Sequence, residues 1–316
     1  MRVNEPWPAY LGIAQGEWAE RTEKARSLLA SCRLCPRGCG VDRLSGEKGF
    51  CGAGGKARVA SFNAHHGEEP PVSGRHGSGT IFFSHCNLRC VFCQNYPISH
   101  LENGDETDAD ELADMMMRLQ HRGCHNINFV TPTHMMPFIV EALPVAVRLG
   151  LRLPLVYNCG GYESVEALKL LDGVVDIYMP DMKYGSSDSA RLISEAPDYP
   201  RRNRAAVKEM HRQAGDLVLD EDGIAMRGLL IRHLVLPAGH AGSEGVLDFI
   251  ARKISPNTAI SLMSQYFPAY QAFDFPGLAR RPSRAEYRQA VETMESLGLG
   301  RGWVQDPFYL GLSEDM

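Results

Sequence analysis

Three thiols fall close together in Cys86-Asn87-Leu88-Arg89-Cys90-Val91-Phe92-Cys93. This CxxxCxxC spacing follows an apolar, strand-like run, Gly79-Thr80-Ile81-Phe82-Phe83-Ser84. Thiolates hold iron–sulfur clusters, and a 4Fe-4S cube normally takes four cysteines, one per iron. Three close cysteines without a local fourth point to a cube with one iron left open. An open iron can chelate a substrate or cofactor, so the arrangement points to chemistry rather than electron storage alone. The bland alternatives are a structural zinc knuckle or a chance triplet.

Four further thiols, Cys32-x2-Cys35-x3-Cys39-x11-Cys51, form a second group among glycines that permit tight turns. They suit a tetrahedral zinc ion, although zinc sites commonly pair two CxxC knuckles and this group has one. A second iron–sulfur cluster or a single iron is equally compatible with four thiolates. Seven of the nine cysteines thus lie in two tight groups, with Cys124 and Cys159 apart. Such clustering reads as metal binding rather than a disulfide framework. Cys124 and Cys159 read as small buried residues. His65-His66-Gly67-Glu68-Glu69-Pro70-Pro71 reads as a solvated turn, and Met115–117 with Met135–136 as buried helix faces.

The elements that must position these groups alternate. Residues 15–31 have a helical pattern and lead into the first cysteine group, and residues 32–78 are irregular, a length of chain that a metal or a function usually orders. From residue 79, strand-like runs at 80–83, 126–130, 153–158, 175–179, 228–236 and 259–263 are mostly separated by helical patterns. The helices are expected at 108–122, 136–149, 164–171, 205–213 and 243–254, with a last one beginning at the capping box Ser283-Arg284-Ala285-Glu286. Asp222-Gly223 reads as the turn of a small hairpin before the fifth strand. Six strands alternating with helices define a parallel α/β protein. Periodicity leaves open whether the sheet is doubly wound or a barrel. The organisation expected is an N-terminal helix and small Cys-rich metal-binding lobe over residues 1–78, then an α/β unit with a C-terminal helix over 79–316.

With Phe92 just before its last cysteine, the 86–93 motif resembles the cluster-binding loop of the radical S-adenosylmethionine (SAM) enzymes. The resemblance covers about residues 79–266 and implies a partial (β/α)6 TIM-like barrel with the cluster loop after its first strand. It also implies the activity: a reduced cluster chelates SAM through its open iron, cleaves it to a 5′-deoxyadenosyl radical, and the radical abstracts hydrogen from a substrate. Active sites of barrels gather at the C-terminal strand ends. Candidate SAM contacts there are Phe92, Thr131 and Thr133, Asn158, Asp181 and Lys183, Arg232, and Gln265 or Tyr266. Thr131 and Thr133 stand where many of these enzymes carry a Gly-Gly-Glu segment, so the carboxylate is missing from that run. Met179-Pro180-Asp181-Met182-Lys183 and Arg232 resemble segments of the glycyl-radical activating enzymes, typified by pyruvate formate-lyase activating enzyme. By that resemblance the substrate is a residue of a protein partner, and the electron donor is a flavodoxin or ferredoxin. Two alternatives stay open: radical chemistry on a small molecule, and a non-catalytic iron–sulfur electron carrier.

Composition reads as an ordinary soluble globular protein: 316 residues, 44% hydrophobic and 22% charged. A formal net charge of −5 counts against a nucleic-acid-binding surface. No stretch approaches the roughly 18 to 20 uninterrupted apolar residues of a membrane span. Residues 1–10 lack the basic-then-apolar pattern of a signal peptide, so the expected location is the cytoplasm.

Overall fold

The computed structural model describes residues 7–305. Residues 1–6 of the stretch read for a leader, and residues 306–316 of the span assigned to the α/β unit, lie outside the described residues. Among the described residues ten strands form the sheet: β1 (Ala57–His65), β2 (Ser78–Phe83), β3 (Asp105–Thr107), β4 (Ile127–Val130), β5 (Leu155–Cys159), β6 (Ile177–Pro180), β7 (Val218–Leu219), β8 (Ala225–Leu234), β9 (Ala259–Met263) and β10 (Gly302–Val304). The order is β10-β9-β8-β6-β5-β4-β2-β1-β3, with β7 paired to β8. From β2 through β4, β5, β6 and β8 to β9 every pairing is parallel. These six are the strands expected from the sequence, and with their crossover helices they form the α/β core of a partial TIM-like barrel.

The crossover helices are α4 (Ala109–His121), α5 (Met136–Leu149), α6 (Val165–Lys169), α7 (Ser187–Ser194), α8 (Tyr199–Ala214) and α9 (Ser243–Lys253), closed by α10 (Arg284–Ser296). Before them come α1 (Gln15–Ala30) and the single turns α2 (Pro70–Ser73) and α3 (Tyr96–Ser99). Every residue of β4, β5, β6 and β9 is buried, the state of parallel strands covered on both faces. The faces divide with period two. Val156, Ile177, Met179, Leu230 and Ala259 pack around Val72 of α2 inside the barrel. Tyr157, Cys159, Tyr178, Leu229 and Ile231 face the helices in the main core.

Four departures from the sequence reading have local causes. Residues 57–65, expected to be irregular, form β1, because their backbone pairs antiparallel with β2 from Val59↔Phe83 to His65↔Ser78. The N-terminal cysteine segment is therefore continuous with the sheet through β1. Ser186 caps α7, which the polar run 186–194 concealed, and accepts from the Ser189 amide. Helix α8 begins at Tyr199, six residues early, with Pro200 in its first turn where no amide partner is needed. The short edge strands β3 and β10 have too few residues to show periodicity.

The expected capping box is present: Ser283 Oγ accepts from the Glu286 amide, and Glu286 returns the bond to the Ser283 amide. Ser283→Ala is expected to cost about 1 kcal/mol. Urea unfolding would read this as a lower midpoint at unchanged slope.

Candidate active site

The loop after β2 carries Cys86, Cys90 and Cys93. His85 and Arg89 sit at positive φ (72° and 51°), which turns the chain sharply on either side of Cys86. The loop is pinned on three sides: the Val91 amide donates to the Ile193 carbonyl, the Gln271 amide to the Val91 carbonyl, and Asn87 Nδ2 to the Tyr162 carbonyl. Leu88, Cys90 and Phe92 are buried in a second apolar cluster with Tyr184, Tyr199 and Tyr266. Phe92 meets Tyr266 edge-on at 5.4 Å, so its ring serves the packing that fixes the loop.

The three thiols are electrostatic neighbours. Burial, then Cys90 and Cys93, push the Cys86 thiol up to about 12. Burial also raises Cys93, against a hydrogen bond from Ser99 whose Oγ is 3.2 Å from the sulfur. All nine cysteines are free thiols. Among the described residues no three Cys, His, Asp or Glu side chains converge as a single-ion site. A cube takes one thiolate per iron at separate corners, and these three neighbouring thiols on one loop could supply three of them.

Facing this loop, the ends of β5, β6 and β8 bring Asn158, Asp181, Lys183 and Arg232 together. Arg232 Nε donates to Asp181 Oδ1 at 2.9 Å and Lys183 Nζ to Asp181 Oδ2 at 2.5 Å. Burial works to raise Asp181, but Arg232 and Lys183 outweigh it and hold the carboxyl below its usual range. Lys183 is kept charged: burial opposes it, while Asp181 and Cys90 favour it. Gly161, at φ +73°, lets the β5 loop close over this group; an added Cβ would stand 2.2 Å from the Asp181 carbonyl oxygen.

The hub includes a residue the sequence reading set aside. Glu68 is no solvated turn: its side chain is 9% exposed, accepts from Asn158 Nδ2 at 3.2 Å and pairs with Arg232 at 3.4 Å. Burial raises its carboxyl to about 7 despite Arg232. Its partners lie 90 and 164 residues away in sequence, so no local signal could have found it.

Residues 80–220 match the radical SAM superfamily. The chain is 32% identical over 290 residues to the uncharacterized protein MJ0674 of Methanocaldococcus jannaschii, covering 88% of this chain and 78% of that one. The chain belongs to the radical SAM superfamily. A second relative from that organism, the uncharacterized protein MJ0808, is 26% identical over 274 residues, covering 80% and 75%. Among solved structures, a radical SAM methyltransferase from Sphaerobacter thermophilus aligns with a TM-score of 0.47 at 15% identity, covering 72% of this chain and 66% of that one. The FeFe-hydrogenase maturase HydG from Carboxydothermus hydrogenoformans gives 0.49 at 12% identity, covering 73% and 54%. The chain thus spans about half to two thirds of the solved proteins it resembles.

Other expected contacts of this radical SAM chain are placed differently. Thr133 turns from the barrel axis and donates to Glu163 Oε1 at 2.6 Å, with Tyr157 Oη 3.2 Å from Oε2. A carboxylate therefore does stand beside the Thr131–Thr133 turn, supplied by the β5–α6 loop. Thr131, at φ 59°, fastens that turn through its amide to the Asn158 carbonyl. Gln265 is exposed, its side chain accepting from Gln305 and its carbonyl from Gln94 beside Cys93, while its neighbour Tyr266 is buried. Cys159 faces the helices and not the interior.

The N-terminal cysteines reach the same rim. Turns from the Gly38 amide to the Cys35 carbonyl and from the Gly40 amide to the Cys32 carbonyl wrap the segment. Arg37 stacks on Phe50 at 3.6 Å and donates to the carbonyls of Asn87, Ser194 and Glu195. Arg43, fully buried, donates to the His134 carbonyl at 2.8 Å. Burial pushes the Cys35 thiol up to about 12, with Cys51 adding to it. The four thiols are neighbours: Cys51 feels both Cys32 and Cys39, and Cys35 feels Cys51.

Burial raises the Glu163 carboxyl to about 7, against bonds from Thr133 and Tyr157. The folded state keeps this proton at pH values where the unfolded carboxyl, near 4.5, has lost it. Its stabilisation is present below about pH 4.5 and is lost as pH rises through 7, roughly 3 kcal/mol at most. Wild type should therefore lose stability relative to Glu163→Gln between pH 5 and 7.5. Parallel pH profiles of denaturation would contradict the assignment.

Proposed function

We propose that this radical SAM protein cleaves SAM reductively at a 4Fe-4S cluster held by Cys86, Cys90 and Cys93, and abstracts hydrogen from a residue of a protein partner. One observation carries the reading: three neighbouring thiols on a pinned loop at the end of β2 lie beside Lys183, which Asp181 joins to Arg232 at the ends of β6 and β8. A 4Fe-4S cluster on Cys86, Cys90 and Cys93 would supply one-electron reducing chemistry for cleaving a C–S bond of SAM. The chain's residues bind and orient. Lys183, held charged beside Cys90, suits the carboxylate of SAM, and Asp181 suits its ribose hydroxyls. Glu68, held by Asn158, pairs with Arg232, and the apolar packing of Leu88, Phe92 and Tyr266 fixes the loop.

A macromolecular substrate is supported by how the barrel is filled. Val72 and Glu68 close its base, and the charged hub crosses its interior. The segment covering the cluster loop exposes Phe267 and Phe273. Arg89, exposed within the loop, is the point where an acidic electron donor such as a flavodoxin or ferredoxin would approach. We read the four N-terminal thiols as ligands of a second iron–sulfur centre, since four thiolates, one per iron, complete a 4Fe-4S cube.

Two outcomes test this reading. Anaerobically reduced protein given SAM should form 5′-deoxyadenosine by mass spectrometry, and Cys90→Ala should form none. Equal product from both would remove the loop from the chemistry. Cys35→Ala should lower iron content while the SAM-responsive signal of the remaining cluster persists; unchanged iron would dismiss a second centre.

A further inference from the structure

Cys90 differs from its two partners in what faces its sulfur. Ser194 Oγ lies 2.9 Å and Tyr184 Oη 3.5 Å from Cys90 Sγ, and the two hydroxyl oxygens are 2.7 Å apart. Both residues are almost wholly buried, Ser194 at 1% and Tyr184 at 2% exposed. At Cys93 the neighbouring Ser99 hydroxyl is shared with His100 Nδ1 at 2.8 Å, and Cys86 Sγ accepts from the Leu88 amide at 3.4 Å. The hydroxyl pair therefore gives Cys90 the shortest donor of the three.

The position of this donor does not depend on the sulfur. Ser194 is the last residue of α7, and its carbonyl accepts from Arg37 Nη2 at 2.7 Å while Arg37 Nε holds the Asn87 carbonyl of the cluster loop. One residue earlier, the Ile193 carbonyl accepts from the Val91 amide next to Cys90. The end of α7 is thus fastened to the loop on both sides of the thiol. Tyr184 is fixed in turn by edge-on packing against Tyr199 at 5.2 Å. Two hydroxyls share two protons: when Tyr184 donates to Ser194 Oγ, the serine proton is free for the sulfur. Each bond then polarises the next, and in a dry site the effect is strong.

We propose that Ser194, backed by Tyr184, is a positioning residue that donates a hydrogen bond to the Cys90 thiolate and raises the reduction potential of the cluster it holds. A donor to a ligand sulfur withdraws electron density from the cluster and so favours the state carrying the added electron. The inference rests on the cluster assignment made above, and adds that the hydroxyl pair sets how readily the cluster accepts its electron.

The test is a redox titration of the reconstituted protein followed by electron paramagnetic resonance, comparing wild type with Ser194→Ala and Tyr184→Phe. Ser194→Ala should lower the equilibrium constant for reduction about tenfold, a shift of about 59 mV to more negative potential for one electron. Tyr184→Phe, which keeps the ring packing, should shift it the same way by less. An unmoved potential in a fully loaded Ser194→Ala protein overturns the proposal. If that variant fails to fold, Tyr184→Phe decides, and its potential must fall. Failure of wild type to assemble any cluster on Cys86, Cys90 and Cys93 overturns the cluster assignment itself, and this inference with it.

Discussion

Asp181 and Arg232 hold together two parallel strands, β6 and β8, whose regular ladder is short. Between β6 and β8 the regular register is Ile177↔Gly228 and Tyr178↔Leu229, and beyond it the strands meet again at the bridge Asp181↔Arg232. The side chains of that bridge form the buried ion pair, and the Met182 amide donates to the Arg232 carbonyl. Such a pair contributes little net stability, but removing one partner strands a buried charge at a cost of about 3 to 5 kcal/mol. Lys183 and Glu68 bond to it directly, and Asn158 joins it through Glu68. The hub is therefore a register lock as well as a polar surface for SAM.

The rim is built on that lock. Tyr199 Oη lies within 3.0 Å of the Gly160 and Asp181 carbonyls and accepts from the Lys183 amide, while Asn203 Nδ2 reaches the Gly161 and Asp181 carbonyls. These bonds tie the β5 and β6 loops to α8. Arg37 extends the tie outward, joining the N-terminal cysteine segment to the cluster loop and to the end of α7. A disturbance in the N-terminal segment thus has a short physical route to Cys90, through Ser194. Among the described residues no helix is long and apolar enough to cross a membrane.

The sequence was most legible where burial is complete. The runs of β2, β4, β5, β6 and β9 are apolar and bounded by turn residues, so their positions were read to within a few residues. The Cys86–Cys93 spacing was equally plain, because a chelating loop writes its ligands locally. What failed was long-range. β1 carries the sequence Ala-Arg-Val-Ala-Ser-Phe-Asn-Ala-His, half exposed, and becomes a strand only because β2 offers it an edge. Glu68 and Glu163 look like ordinary acidic turn residues until their partners arrive from other strands. Gln265 and Tyr266 are interchangeable on sequence alone, but the chain buries the tyrosine against Phe92 and turns the glutamine outward, a choice fixed by packing.

The central claim is that the three thiols of one loop hold a cluster whose open iron binds SAM. Electron paramagnetic resonance of the reduced protein, recorded with and without SAM, addresses it directly. The cluster signal should change shape on addition of SAM, and the change should vanish in Cys86→Ala, Cys90→Ala and Cys93→Ala alike. A signal indifferent to SAM in the loaded wild-type protein would contradict the account and leave an electron carrier in its place.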